Sequence, residues 1–195
     1  MENFAKKATR QEARRRMMAV PKAERQELSR AACAELLRVP ELRAARAVLL
    51  YCPLPDELDI WPALHALAES ESRIILPKCQ PDKHEVTCIE VGDFKTDLIR
   101  GTFNILEPKG GVGIGLDELD AVVAPGRAFD RAGNRVGRGA GYYDRFFVRE
   151  GFEAFICGIG FDCQLFPEVP IEPHDVPVHA VVTESGLIRT SARAG

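Results

Sequence analysis

Short apolar runs recur along this chain with helix-length segments between them, and that alternation limits the fold more than any other feature. RAVLLY (46–51), RIILP (73–77), DAVVAPG (120–126), AFICGIGF (154–161) and HAVVTE (179–184) are nearly continuous apolar stretches, while TCIEV (87–91) alternates weakly. Runs this short, bounded by Gly, Pro or charged residues, suit strands buried on both faces of a sheet. Residues 2–18 lack Gly and Pro and are rich in good helix formers. Pro21 can open a second helix running to about Arg38, with Ala23, Leu28, Ala31, Ala32, Leu36 and Leu37 on or near its apolar side. Leu64, Leu67 and Ala68 mark a helix within Ile60–Ser70, and another should start at Gly141 and run to Glu150. Strands alternating with helices predict an α/β fold, a mostly parallel sheet flanked by helices, with HAVVTE as the last strand. Gly101–Gly115 reads as loop, and its EPKGGVGIG patch (107–115) as a surface loop inside one domain spanning residues 1–195. There is no internal repeat.

With 46% hydrophobic and 28% charged residues, the 195-residue chain has the make-up of a globular protein with a real core. The net charge of −3 hides an asymmetry, because residues 1–30 hold nine basic against four acidic side chains. Such a segment can meet phosphate, nucleic acid or membrane, or form a solvated helix face. A pI of about 5.9 and the lack of a nucleic-acid motif argue against nucleic acid. No apolar run approaches the ~20 residues of a membrane span, and no signal peptide is visible. The six cysteines (33, 52, 79, 88, 157 and 163) contain no CxxC, and several lie in apolar runs where cysteine acts as a small hydrophobe. A cytoplasmic, monomeric protein is expected.

GNRVGRGAGYYDRF (133–146) interleaves four glycines with Arg135, Arg138 and Arg145 and ends on two tyrosines and Asp144. After the strand DAVVAPG, a glycine turn feeding a helix can aim backbone N–H groups at an anion. Arg135 and Arg138 can add bidentate bonds to phosphate oxygens, and Asp144 is well placed for Mg²⁺. The segment matches neither the P-loop nor the Rossmann fingerprint, since no lysine follows the glycines and Tyr142 stands at the third glycine. A flexible loop with incidental arginines is the alternative.

Other positions carry weaker signals. Lys6 and Arg10, four residues apart, can point at one anion or simply form a solvated face. YCPLPDELDI (51–60) places Asp56, Glu57 and Asp59 beyond the carboxyl end of a strand, where α/β sheets bind ligands. Asp59 can cap the helix at Ile60, but three acids exceed what one cap needs. EPHDVPVHAV sets His174 beside Asp175, with His179 five residues on; that spacing does not suit zinc.

Taken together, LDAVVAPGRAFDRAGNRVGRGAGYYDRFF (119–147) resembles the signature of the 5-formyltetrahydrofolate cyclo-ligase (methenyltetrahydrofolate synthetase) family. YCPLPDELDI, RIILP, GTFNILEP, GIGFDCQ and EPHD sit in that family's order. The resemblance implies ATP- and Mg²⁺-dependent closure of 5-formyltetrahydrofolate, with or without extra glutamyl residues, to 5,10-methenyltetrahydrofolate. It implies ATP contacts at Lys6, Arg10, Arg135, Val136, Gly137, Arg138, Gly139, Ala140, Gly141, Tyr142 and Tyr143. Lys6, Arg10 and Arg138 would act on the transferring phosphate, and Asp144 and Asp175 would hold Mg²⁺. Folate contacts would fall on Cys52, Glu57, Phe103 and Tyr142. Arg127 stands where an apolar residue is more usual after PG, and His179 where aspartate is frequent. The alternative is a folate- or nucleotide-binding protein with little or no turnover.

Overall fold

A computed structural model describes residues 4–80, 82, 85–101 and 105–191. Its centre is a seven-stranded sheet. In chain order the main strands are β1 (Ala47–Leu49), β2 (Arg73–Gln80) and β3 (Glu85–Glu90). After the short hairpin of β4 (Leu98–Arg100) and β5 (Leu106–Pro108) comes β6 (Ala121–Pro125). A second small ribbon, β7 (Ala128–Phe129) with β8 (Arg135–Val136), precedes β9 (Phe155–Ile159), β10 (Ala180–Thr183) and β11 (Gly186–Arg189). The spatial order is β11-β10-β9-β6-β1-β2-β3. The five inner strands are parallel, and β3 and β11 are antiparallel at the two edges.

Neighbouring residues on each strand serve opposite faces. Val48, Leu50, Ile74, Leu76, Ala121, Val123, Cys157 and Val182 join one cluster with Ala32, Cys33 and Leu36 of α2 (Lys22–Leu36) and with Leu42, Ala63 and Leu64. Ala47, Leu49, Ile75, Val122, Ala124, Ile156 and Val181 join the other, with Phe129, Phe146 and Phe147. Helix α2 turns one stripe inward, Ser29, Ala32, Cys33 and Leu36, at the spacing an amphipathic helix requires. Helix α1 (Phe4–Ala19) does the same with Lys6, Ala13 and Met17.

Several boundaries differ from the sequence reading. Helix α2 stops at Leu36, not near Arg38, because Pro40 drives Val39 into extended backbone (ψ 120°) and opens a separate short helix, α3 (Pro40–Ala44). Helix α4 (Trp61–Ala68) is present as expected, with Asp59 Oδ1 accepting the Trp61 N–H at 3.1 Å. The region 101–115 is less uniformly loop than expected, since β5 pairs with β4. HAVVTE is not the last strand; a tight turn at Glu184–Ser185 returns the chain as β11, with Thr183 opposite Gly186. Helix α5 (Tyr142–Phe147) is only six residues long.

The parallel order places β2 on one side of β1 and β6 on the other. Chain direction across the sheet reverses there, and the carboxyl ends of β1 and β6 open a crevice. Below it, the fully buried ring of Phe129 lies against Gly126, Gly158 and Gly160. A Cβ built on Gly158 would come within 2.6 Å of Phe129 Cε1, which explains a glycine inside an otherwise apolar strand. Gly158→Ala should therefore destabilise the protein by about 1–3 kcal/mol through overpacking, read by urea unfolding. An unchanged unfolding midpoint would show that the ring moves aside freely.

Candidate active site

A cavity of about 950 Å³ occupies this crevice. Strand β1 contributes the residues that follow it, Tyr51, Cys52, Leu54 and Glu57; β6 contributes Pro125 and Gly126. The glycine segment contributes Arg135 and Gly137–Asp144, α1 contributes Lys6 and Arg10, and the segment before β10 contributes Glu172, His174 and Asp175. Pro77, Cys79, Val86 and the Ile105–Glu107 stretch complete the wall.

The glycine segment is held in shape before any ligand is considered. Asp130 is 2% exposed, and its Oδ1 accepts the N–H groups of Ala132 and Asn134 at 3.0 and 2.9 Å. Its Oδ2 accepts from Asn134 Nδ2 and from the Val169 N–H. One carboxylate thus fixes the turn that carries the chain from β7 into β8. Gly139 (φ +114°) and Gly141 (φ +65°) hold backbone conformations that strain other residues. Arg10 lies beside Gly139, where a Cβ would meet the guanidinium carbon at 3.5 Å, an ordinary contact, so backbone conformation and not space calls for glycine there. With α5 only six residues long, backbone N–H groups and arginines are what this segment offers to an anion, and a helix dipole adds little.

The cations named from the sequence are all present in the wall, each with an acceptor. Lys6 is buried, and its Nζ lies 2.6 Å from Asp175 Oδ2 and 2.7 Å from Glu172 Oε2. Burial alone would lower its pKa, but the two carboxylates outweigh that and raise it, so Lys6 stays charged across the neutral range. The bond to Lys6 in turn holds Glu172 below the usual carboxylate range. Arg10 Nε donates to the Gly137 carbonyl at 2.8 Å. Arg135 Nη2 donates to Asp144 Oδ1 at 2.8 Å, with its guanidinium 5.7 Å from the Tyr143 ring centre. Arg138 Nε donates to Glu57 Oε1 at 2.6 Å, and its Nη2 pairs with Asp56.

Asp144 and Asp175 both line the cavity. Asp144 Oδ1 also accepts the N–H of Val176, the residue after Asp175, at 3.4 Å. Their side chains are 14% and 11% exposed. Glu172, His174 and Asp175 present ligand atoms within 4.8 Å of one another, the one such group among the described residues. His179 belongs elsewhere: its Nδ1 accepts the Ile156 N–H at 2.8 Å, and its ring stacks on Phe155. Two donors in the wall, Arg135 Nε and the Tyr143 hydroxyl, are buried with no partner among the described residues.

Cys52 lines the cavity, but burial pushes its thiol up to about 12, so it offers packing rather than a nucleophile. Val136 packs with Ala13, Ala128 and Val169 instead of lining the cavity. Phe103 lies outside the described residues. Sequence reasoning gave Glu172 no role although EPHD contains it. It also missed Glu107, a buried carboxylate in the wall whose surrounding sequence reads as loop.

Residues 2–184 match the 5-formyltetrahydrofolate cyclo-ligase family. The 5-formyltetrahydrofolate cyclo-ligase of Escherichia coli is 30% identical over 175 residues, covering 88% of this chain and 96% of that protein. The NMR structure of the 5,10-methenyltetrahydrofolate synthetase of Aquifex aeolicus, 31% identical, superimposes with a TM-score of 0.84 over 98% of this chain and 95% of that one. A structure of a 5,10-methenyltetrahydrofolate synthetase from Mycoplasma pneumoniae, at 20% identity and a TM-score of 0.74, shares the fold, covering 93% of this chain and 99% of that one. With residues 2–184 matched by the family and a relative 30% identical across 88% of this chain and 96% of its own length, this chain belongs to the 5-formyltetrahydrofolate cyclo-ligase family.

Proposed function

We propose that this chain closes 5-formyltetrahydrofolate to 5,10-methenyltetrahydrofolate, using ATP and Mg²⁺ and releasing ADP and phosphate. One observation carries the reading: Val136 and Phe103 apart, a single cavity gathers the residues expected to hold nucleotide phosphate, divalent metal and folate. The formyl oxygen leaves poorly as hydroxide. Transfer of the γ-phosphoryl group to it creates a phosphate leaving group. The second folate nitrogen then attacks the formyl carbon and gives up its proton to solvent, the C–O bond breaks, and phosphate departs to leave the methenyl bridge.

Such chemistry asks a protein for positioning and charge neutralisation more than for covalent participation. Lys6, Arg10, Arg135 and Arg138 are the cations within reach of the phosphates, and the N–H groups of Gly137–Gly141 supply further donors. Asp144 and Asp175 offer the hard oxygen donors that Mg²⁺ prefers, and would hold it where Lys6 and Arg135 already meet their carboxylates. Bound there, the metal would neutralise phosphate charge. Glu57 accepts from ring N–H groups of the pterin, and Tyr142 packs on its plane.

A second cavity of about 480 Å³ shares Leu54, Glu57, Ile105 and Leu106 with the first, and Lys22, Arg25 and Arg100 edge it. Arg25 Nε is buried there with no partner among the described residues. This cavity suits the carboxylate tail of the folate, with or without additional glutamyl residues. The reading is for a monomer. The six free thiols fit the reducing cytoplasm, and among the described residues no helix is long and apolar enough to cross a membrane.

Absorbance of the methenyl product, followed while enzyme, Mg-ATP and 5-formyltetrahydrofolate are mixed, tests the activity. The signal should rise only with ATP, stop on chelation, and fall by about a hundredfold or more in Asp144→Asn. Tight folate binding with no rise would instead support a binding protein without turnover. In the same assay Arg25→Ala should raise the KM for folate severalfold, more for a polyglutamyl substrate, and leave the KM for ATP unchanged. Equal KM values in the variant and the parent would remove the tail from the second cavity.

A further inference from the structure

Two charged residues stand behind the cavity wall rather than in it. Arg127, in the turn between β6 and β7, is 9% exposed, and neither it nor Asp56 lines the main cavity. The backbone of Arg127 is fixed on both sides. Its N–H donates to the Val136 carbonyl at 2.7 Å, and its own carbonyl accepts from Gln164 Nε2 at 3.0 Å. From that post the guanidinium forks onto a single residue. Nη1 donates to the main-chain carbonyl of Asp56 at 2.8 Å, and Nη2 to its carboxylate Oδ2 at 2.5 Å.

The other carboxylate oxygen of Asp56 takes Arg138 Nη2. Arg138 Nε passes the chain on to Glu57 Oε1, and Glu57 Oε2 accepts the Leu54 N–H at 2.9 Å. Arg127, Asp56, Arg138, Glu57 and Leu54 therefore form one continuous polar chain. It ties the loop after β1 to the glycine segment, and its last three members line the cavity. Burial alone would raise the pKa of Asp56, but its two guanidinium partners outweigh this and keep it ionised.

We infer that Arg127 is a positioning residue for the reaction: by clamping Asp56 it sets the orientation of Arg138 toward phosphate and of Glu57 toward folate. It touches neither ligand. An apolar side chain at this position cannot hold Asp56, so the device is particular to chains carrying this Arg–Asp pair. Lysine would not replace it, because one ammonium lacks the planar fork that reaches both the carbonyl and the carboxylate. The inference rests on the roles given above to Arg138 and Glu57, and its test keeps the two apart.

The experiment is steady-state kinetics on Arg127→Leu, Arg127→Lys, Asp56→Asn and the Arg127→Leu/Asp56→Asn double variant, with Tm measured on each. Both single changes should raise the KM for folate and lower kcat, together costing about tenfold or more in kcat/KM. Arg127→Lys should rescue little. The double variant should be no worse than the worse single one, because both changes break the same link. A fall in Tm with unchanged KM and kcat, or effects that add in the double variant, would overturn the inference and leave Arg127 a structural residue. If Arg127→Leu does not fold, Arg127→Lys takes its place beside Asp56→Asn, whose side chain is 33% exposed and whose change is isosteric, and kinetics of Arg127→Lys equal to the parent's would overturn the inference. Unaltered kinetics in Asp56→Asn would overturn the inference. Glu57→Gln and Arg138→Ala serve as the separate check: unaltered kinetics in both would mean that the site assignment itself had failed.

Discussion

Everything in the cavity depends on opposite charges meeting across segments that are distant in sequence. Lys6 near the start of the chain ends on Glu172 and Asp175 near its close. Arg138 of the glycine segment ends on Asp56 and Glu57 from the loop after β1. A buried ammonium such as Lys6 would cost several kcal/mol without a partner, so its contact fixes which segments lie beside which, while the more exposed Arg138 pairs add less. The same cations and carboxylates have the chemistry to meet phosphate and metal. Fold and site thus draw on one set of side chains, and a change at any of them is expected to register in both.

The sheet decides where that set can assemble. Because β1 is flanked by β2 on one side and β6 on the other, the loops leaving β1 and β6 diverge and leave a crevice. Phe129, packed against Gly126, Gly158 and Gly160, seals its floor and anchors the ribbon from which the glycine segment departs. Asp130, the next residue, closes the turn of that segment with four hydrogen bonds. Phe129 and Asp130 of PGRAFD (125–130) are therefore scaffold, while Arg135, Arg138 and Asp144 after them line the cavity.

That division explains what could be read without a structure. The inner strands were legible because runs such as DAVVAPG and AFICGIGF are apolar on both faces, as strands covered from two sides must be. Edge strand β11 was not, since GLIR alternates in burial and follows a two-residue turn with little compositional signal. The glycine segment announced an anion site by its density of Gly and Arg. By itself it did not reveal that Lys6 and Arg10 line the same cavity, with Arg10 donating to the Gly137 carbonyl, which needed the resemblance. Asp56 and Arg127 were the least visible: their function lies in their pairing, and 71 residues separate them. No local pattern can register a partner that far away.

The central claim, that nucleotide and folate share the β1–β6 crevice with phosphate against the glycine segment, is most directly tested by backbone amide NMR. Labelled protein would be titrated with a non-hydrolysable ATP analogue and Mg²⁺, and separately with 5-formyltetrahydrofolate. The account predicts nucleotide-induced shifts centred on Gly137, Gly139 and Gly141, and folate-induced shifts centred on Cys52 and Glu57. Nucleotide shifts confined to another face of the sheet, with the glycine amides unmoved, would contradict it.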